Sequence, residues 1–482
     1  MRYSMLVYLT QMGRTLLEAA EYLAASPKED PMREELLENG RQMMDQIRDV
    51  LEYHRQDLKS NRPLDCLNDA EEKWRGSGEE STAAIRRFIQ CLPQEVRYQV
   101  WAVFFAELGE KWDSMETVYE FMRDDPRFDP VVVLTPVFRQ VQDENGTVKQ
   151  DVIYRDYLTP MGIPFFEYNK YNLEEDCPDL AFICQPYESC TPQEFWPETI
   201  ARYTRLVYLP YFLADRAGVN EVETFAQLPV YRYAWKVVCA TQGQYKFYCK
   251  HSAHGGVNAL LTGIPKLDKL VNLKRDGIAR PRGWDCLEGK TVFLWNSWYD
   301  ISVSSVRYFD ELMEWFQIHE DCALIWRPHP MTDTVTKLYY PEQYPRFQQN
   351  VRQAQSLPNV ILDREPSYRA AFYYSNALIS DPSSLVLLYL LMDKSAMILS
   401  REGNPSNPSQ IKSSVEFIDG QWVKRGNNIT EIYKYFEQIR IGVDERANLR
   451  KEIRQRDLAL ADGHSAERVC EALWTEMHKE DL

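Results

Sequence analysis

Three short apolar runs, each closed at the same end by polar residues, leave this chain few folds to choose from. ALIWRPHP (323 to 330), NVILD (359 to 363) and NALISDPSSLVLLYLL (376 to 391) read as three strands, the last running on into a helix. Strands that alternate with helical segments predict a doubly wound parallel sheet. In such a sheet ligands bind beyond the carboxyl ends of the strands, where a helix start also offers unpaired N–H groups to an anion. The first run ends in Arg327 and His329 and the third in Ser380 and Asp381, so a cation, an imidazole and a phosphate cradle are expected on one rim.

The turn after Ser380 carries the cradle. Asp381 can cap a helix, Pro382 suits its first turn, and Ser383 and Ser384 place hydroxyls beside unpaired backbone donors. An ordinary strand-to-helix turn has the same composition, because Ser and Asp dominate helix caps. The RPHP segment tips the balance, since prolines on both sides of His329 fix its backbone at a strand end. The plain alternatives are a surface salt bridge for Arg327 and a core or rim position for His329. Asn296 and Ser297, closing TVFLWN, and Asp363, closing NVILD, are further cleft candidates, with loop capping as their alternative role.

Along the chain the hydrophobic period changes twice. Residues 1–96 show apolar positions at helical spacing among charges, as in EELLENGRQMMDQIRDVLEYHRQDL, and predict a small helical domain broken at SPKEDP and KSNRPLDC. From 97 to 270 a strand (YQVWAVFFAEL), a helix (DSMETVYEFMRD) and a strand (PVVVLTPVF) open a first Rossmann-like domain. It continues through PFFEY, DLAFIC, RLVYL, KVVCA and NALLTG. Asp113 and Glu116 fit a capping pair for that first helix. A polar linker is expected from about 271 to 289. The second Rossmann-like domain, 285–426, follows with TVFLWN, CALIWR, NVILD, YRAAFYY, NALIS and AMILS. Residues 427–482 read as helices. In KLDKLVNLKRDGIARPR (266 to 282) a solvated linker competes with a local basic patch.

Composition excludes several classes. A formal charge of −16 argues against broad attraction to nucleic acid or anionic lipid. Ten cysteines without a C-x-x-C pair give neither a zinc pattern nor a secreted disulfide framework, so reduced thiols and no protein-held metal are expected. The longest apolar runs fall short of the ~20 residues a membrane-spanning helix needs. The N-terminus lacks a signal-peptide pattern, and a cytoplasmic protein is expected.

The RPHP segment and the SD-x-SS helix start resemble those of the CDP-glycerol glycerophosphotransferase family, the teichoic-acid polymerase type. KWDSMETVYE (111 to 120), CPDLAFICQPYE (177 to 188), YTRLVYLPYFLAD (203 to 215) and LLTGIPKLDKL (260 to 270) look like family blocks in the family's order, over roughly residues 98 to 400. The resemblance implies two GT-B domains, with the nucleotide held by the second. It further implies attack of an acceptor hydroxyl on the glycerol-bearing phosphorus of CDP-glycerol, with release of CMP. Arg327 and the turn at Ser383 would neutralise charge, and His329 would give a hydrogen bond or proton to the departing phosphate. No cofactor is implied beyond Mg²⁺ carried on the diphosphate. The acceptor would be a cell-surface polymer precursor, and a lipid-linked one would require peripheral contact with the inner membrane face. The family's first-domain His-Gly pair has no counterpart: the strand end reads Leu209, Pro210, Tyr211, Phe212. The acceptor-side candidates are Tyr211, a poor base at its reference pKa of ~10, and His254 in an HGG segment that precedes a different strand. Leu388 also replaces an acidic residue expected before Tyr389. A glycosyltransferase using a nucleotide sugar and a catalytically silent nucleotide-binding member remain open beside this reading.

Overall fold

The protein is seen in a computed structural model that describes residues 1–74, 76, 78–142, 148–211, 226–399 and 420–481. Its sequence begins with four helices, α1 (Tyr3–Ala25), α2 (Arg33–Tyr53), α3 (Arg62–Trp74) and α4 (Glu79–Glu95). Their apolar stripes meet in one core of Leu6, Leu9, Leu16, Met44, Ile47, Leu67, Trp74 and Phe88, which is what a period of 3.6 residues requires of a helix with one wet face. Gly40 is needed there: a Cβ on it would lie 2.0 Å from the Trp74 ring.

Two parallel sheets follow. The first has seven strands, β1 (Val100–Ala106), β2 (Phe128–Leu134), β5 (Phe166–Glu167), β6 (Leu180–Ile183), β7 (Arg205–Tyr208), β8 (Lys236–Cys239) and β9 (Ala259–Leu261), in the order β5-β2-β1-β6-β7-β8-β9. The second has six, β10 (Thr291–Ser297), β11 (Cys322–Pro328), β12 (Val360–Leu362), β13 (Ala377–Ser380), β14 (Ser395–Leu399) and β15 (Lys424–Gly426), in the order β12-β11-β10-β13-β14-β15. Both orders reverse about an internal strand, the mark of double winding. Apolar residues fill both faces of the central strands, because a parallel sheet is covered on both sides by helices. β1, β6, β10, β11 and β13 are buried almost throughout. This is the expected pair of Rossmann-like domains behind a helical N-terminus.

Several local expectations change. PVVVLTPVF is not one strand: β2 stops at Leu134, and β3 (Val137–Gln142) begins an antiparallel hairpin with β4 (Val148–Ile153). YRAAFYY forms the helix Arg369–Tyr374. The stretch expected as linker from 271 is helical to Asp276, and Gly277, at φ +69°, ends that helix. Neither a solvated linker nor a basic patch describes its start, since Lys266 is buried against Asp113 and Lys269 lies between Glu116 and Glu120.

The last helix, Ser465–Asp481, returns to the first sheet. Val469, Cys470, Leu473 and Met477 sit in one core with Val100, Phe104 and Phe182. Arg205 and Lys236 hold Asp481 and Glu476, and Tyr3 of α1 donates to Asp481. One C-terminal helix therefore joins the N-terminal helices to the first sheet. No helix among the described residues is long and apolar enough to cross a membrane.

Candidate functional site

The second sheet builds a rim by register alone. Parallel pairing sets Asn296 opposite both Arg327 and Ser380, and Ser297 opposite Pro328, so the polar residues that close β10, β11 and β13 share one edge. Most face inward. Asn296 donates to Ser380 Oγ at 3.0 Å, Ser380 donates to the Asp381 carbonyl at 2.6 Å, and Trp326 Nε1 donates to Ser297 Oγ at 3.2 Å. Ser297 and Ser380 are fully buried, so these groups brace the strand ends.

Asp381 does not cap the following helix. Its carboxylate accepts from Trp298 N at 2.7 Å and from Ser305 N and Oγ at 3.0 Å, tying the loop after β10 to the turn after β13. A carboxylate with that many donors is already spent on local order. The cap is Ser383, whose Oγ accepts from Leu385 N at 3.2 Å at the start of the helix Ser384–Leu390. Ser384 is exposed beside it.

Arg327 is committed as well. It is 7% exposed, pairs with Asp363 at 2.7 Å, and donates to the carbonyls of Glu365 at 2.7 Å and Pro366 at 3.2 Å. The pair pins the loop after β12 to the end of β11, where the sequence reading had Arg327 reaching phosphate and Asp363 lining the cleft.

His329 remains at the rim, half-buried, with its ring edge-on to Tyr299 at 5.3 Å between centroids and tilted to Trp298 at 5.8 Å. Its backbone N–H donates to the Ser297 carbonyl at 3.1 Å. Met331 N donates to its Nδ1 at 3.2 Å. An Nδ1 that accepts cannot carry a proton, so the neutral ring holds its hydrogen on Nε2.

The first sheet presents a second rim. After β1, buried Glu107 pairs with Lys111 of α5 (Gly109–Trp112) at 2.8 Å, and the Lys111 ammonium lies 5.0 Å from the centre of the Tyr211 ring. Burial lifts the Glu107 carboxyl above its usual range against the pull of Lys111, and burial pushes the Tyr211 phenol further up from an already high value. Phe212 lies outside the described residues. His254 is elsewhere. It precedes β9, and its Nε2 contacts the carbonyl of Arg232, which precedes β8, at 2.7 Å. Both positions belong to the amino-terminal edge of a parallel sheet, opposite the rim.

The two rims are joined. Tyr368, following the loop that Arg327 holds, donates to Asp113 at 2.9 Å, and Arg369 pairs with Glu116 at 2.7 Å. Asp113 also pairs with Lys266 at 2.8 Å. Glu116 opens α6 (Glu116–Asp124), but Met115 occupies the cap position and makes no side-chain cap. The expected capping pair instead carries contacts between the sheets. The loop Glu107 to Trp112, which leaves the end of the first strand, was expected to point at the cleft; the pairing of Glu107 with Lys111 and the part played by Tyr368 were not anticipated. The pairing had a visible signal, an acid and a base four residues apart directly after an apolar strand.

A family model described as CDP-glycerol:poly(glycerophosphate) glycerophosphotransferase matches residues 231–475, a range that takes in the second sheet, RPHP and the SD-x-SS turn. No curated protein matches the chain. Among solved structures, the wall teichoic acid polymerase TagF is similar at 11% identity and TM-score 0.53, over 79% of this chain and 90% of that one. A UDP-N-acetylglucosamine 2-epimerase is similar at 13% identity and TM-score 0.51, over 79% and 97%. The enzyme of that name from Neisseria meningitidis, bound to UDP-GlcNAc, is similar at 13% and 0.50, over 78% and 100%. At such identities the likeness is one of fold.

Proposed function

The chain belongs to the CDP-glycerol:poly(glycerophosphate) glycerophosphotransferase family, and from that premise we propose that it transfers glycerol phosphate, or a closely related polyol phosphate, from a CDP-linked donor to a hydroxyl of a polymer precursor. The observation that carries this reading is His329, held at the carboxyl edge of the second sheet with its Nδ1 occupied by Met331 N–H. A leaving CMP needs charge stabilisation more than protonation, because a phosphate monoester already ionises with a second pKa near ~6. A fixed Nε2–H donor supplies that without an acid step. Ser383 and Ser384 stand at the neighbouring turn, and their hydroxyls are the proposed contacts to the diphosphate.

The test is product release. Purified protein is incubated with CDP-glycerol and a short oligo(glycerol phosphate) acceptor, and separately with nucleotide sugars. CMP from the first and nothing from the second is expected. UDP or GDP from a nucleotide sugar would replace this reading with a glycosyltransferase. Replacing both Ser383 and Ser384 with alanine is expected to weaken CDP-glycerol binding about tenfold, the loss of roughly one charge-assisted hydrogen bond. Calorimetry checks it, and equal affinity would remove the two hydroxyls from the donor site.

A further inference from the structure

We propose that Glu107, oriented by Lys111, is the general base that takes the proton from the acceptor hydroxyl. The inference rests on the reading above, in which a hydroxyl attacks phosphorus, and it names the group on this chain that makes that hydroxyl a nucleophile.

Register places the carboxyl. β1 pairs with β6 through Ala102 with Leu180 and Phe104 with Phe182, so Glu107 continues β1 level with Gln185 beyond β6. It is 5% exposed, and an acid at that depth is retained only with a partner. Lys111 is that partner, and the Tyr211 ring beneath its ammonium limits where the lysine can sit. The carboxylate is thereby fixed by one oxygen, Oε2, on the rim that Asp113 and Tyr368 connect to the second sheet.

A second observation points to a ligand with hydroxyls. The Gln185 side-chain oxygen and the Tyr157 hydroxyl are buried, and neither makes a hydrogen bond within the described residues. Buried polar atoms are rarely left so. One accepts and the other donates, which is what a polyol hydroxyl offers to satisfy. Tyr157 approaches because residue 109 is glycine: a Cβ there would stand 3.2 Å from the tyrosine ring.

Electrostatics agree with a base. Interacting with the Glu107 carboxyl are Lys111 from its own turn, Tyr157, Cys184 after β6, and Tyr211 after β7. Burial outweighs Lys111 and holds this carboxyl above the ordinary carboxylate range, toward the pH at which a base takes protons efficiently. Tyr157, Cys184 and Tyr211 are pushed up by burial and stay protonated.

The step balances. The acceptor oxygen bonds to the glycerol-bearing phosphorus, the bridging P–O bond to the CMP phosphate breaks, and its electron pair leaves with CMP. The hydroxyl proton passes to the Glu107 carboxylate and from there to solvent.

The experiment compares wild type, Glu107→Gln, Glu107→Asp and Glu107→Ala, the last with and without formate, using CDP-glycerol and an oligo(glycerol phosphate) acceptor and measuring CMP release against pH and donor affinity by calorimetry. Glu107→Gln should lose about 10²–10⁴-fold in kcat with donor affinity unchanged, and the acidic limb of the kcat profile should vanish. Glu107→Asp should recover part of the rate, and formate should restore turnover to Glu107→Ala, which a merely structural carboxylate would not allow. Glu107→Gln with wild-type kcat, or with its acidic limb intact, would overturn the proposal. Wild type that neither binds CDP-glycerol nor releases CMP would overturn the donor assignment instead.

Discussion

Replacing His329 with alanine should lower turnover of CDP-glycerol by about 10²–10³-fold, the loss that follows removal of one preorganised donor to developing negative charge. The expectation comes from geometry. His329 stands where β11 ends, its backbone is bonded to Ser297, and its ring is held by Met331 N–H and by the Tyr299 and Trp298 rings. Those contacts spend energy on orienting one ring edge. Because the residue is half-buried and its removal opens no core cavity, the melting temperature should change little. His329→Gln is the sharper variant. Its amide can donate without titrating, so it should recover more activity than alanine if the histidine donates a hydrogen bond. If the histidine gives up a proton, the two variants should be equally poor. Steady-state kinetics on both decide between these roles.

Asp363→Ala is expected to be the most destabilising single change on the rim, costing about 3–5 kcal/mol, as breaking a buried ion pair from one side does. Among the described residues, Arg327 would keep its charge at 7% exposure with the carbonyls of Glu365 and Pro366 as its remaining hydrogen-bond partners. The same loop leads to Tyr368 and Arg369, which hold Asp113 and Glu116 of the other sheet. Loss of the pair should therefore also loosen the union of the two rims and raise KM for the donor. Thermal unfolding and kinetics together test this. A variant with unchanged melting temperature and KM would show that the Arg327–Asp363 pair braces nothing. Asp363→Asn, which keeps the shape and one acceptor, should fall between alanine and wild type.

Where a segment is both apolar and β-branched or aromatic, the fold was legible. TVFLWN, CALIWR and NALIS are buried on both faces, a demand that only a covered parallel strand meets, and they became β10, β11 and β13. PVVVLTPVF misled because it contains two apolar runs. Pro136 separates them, and the second run turns away into an antiparallel hairpin. The site was legible in position and not in partnership. Arg327 and Asp363 are 36 residues apart, Asp113 and Tyr368 are 255 apart, and Glu116 and Arg369 are 253 apart. A capping pattern read locally at Asp113 and Glu116 could not anticipate claims made from that distance. His254 shows the opposite error. Its HGG segment only imitates the family's pair and precedes a different strand, yet it was kept as an acceptor-side candidate that could approach the cleft; strand direction places it on the far edge of the sheet from the rim.

Both rims are expected to close on one donor diphosphate, with His329 Nε2 pointing at it. A crystal structure of the wild-type protein with a non-hydrolysable CDP-glycerol analogue tests this most directly. The diphosphate is expected within hydrogen-bond reach of His329 Nε2 and of the Ser383 and Ser384 hydroxyls, with the glycerol end turned toward Glu107. A nucleotide bound at another edge, or a diphosphate out of reach of His329, would contradict it.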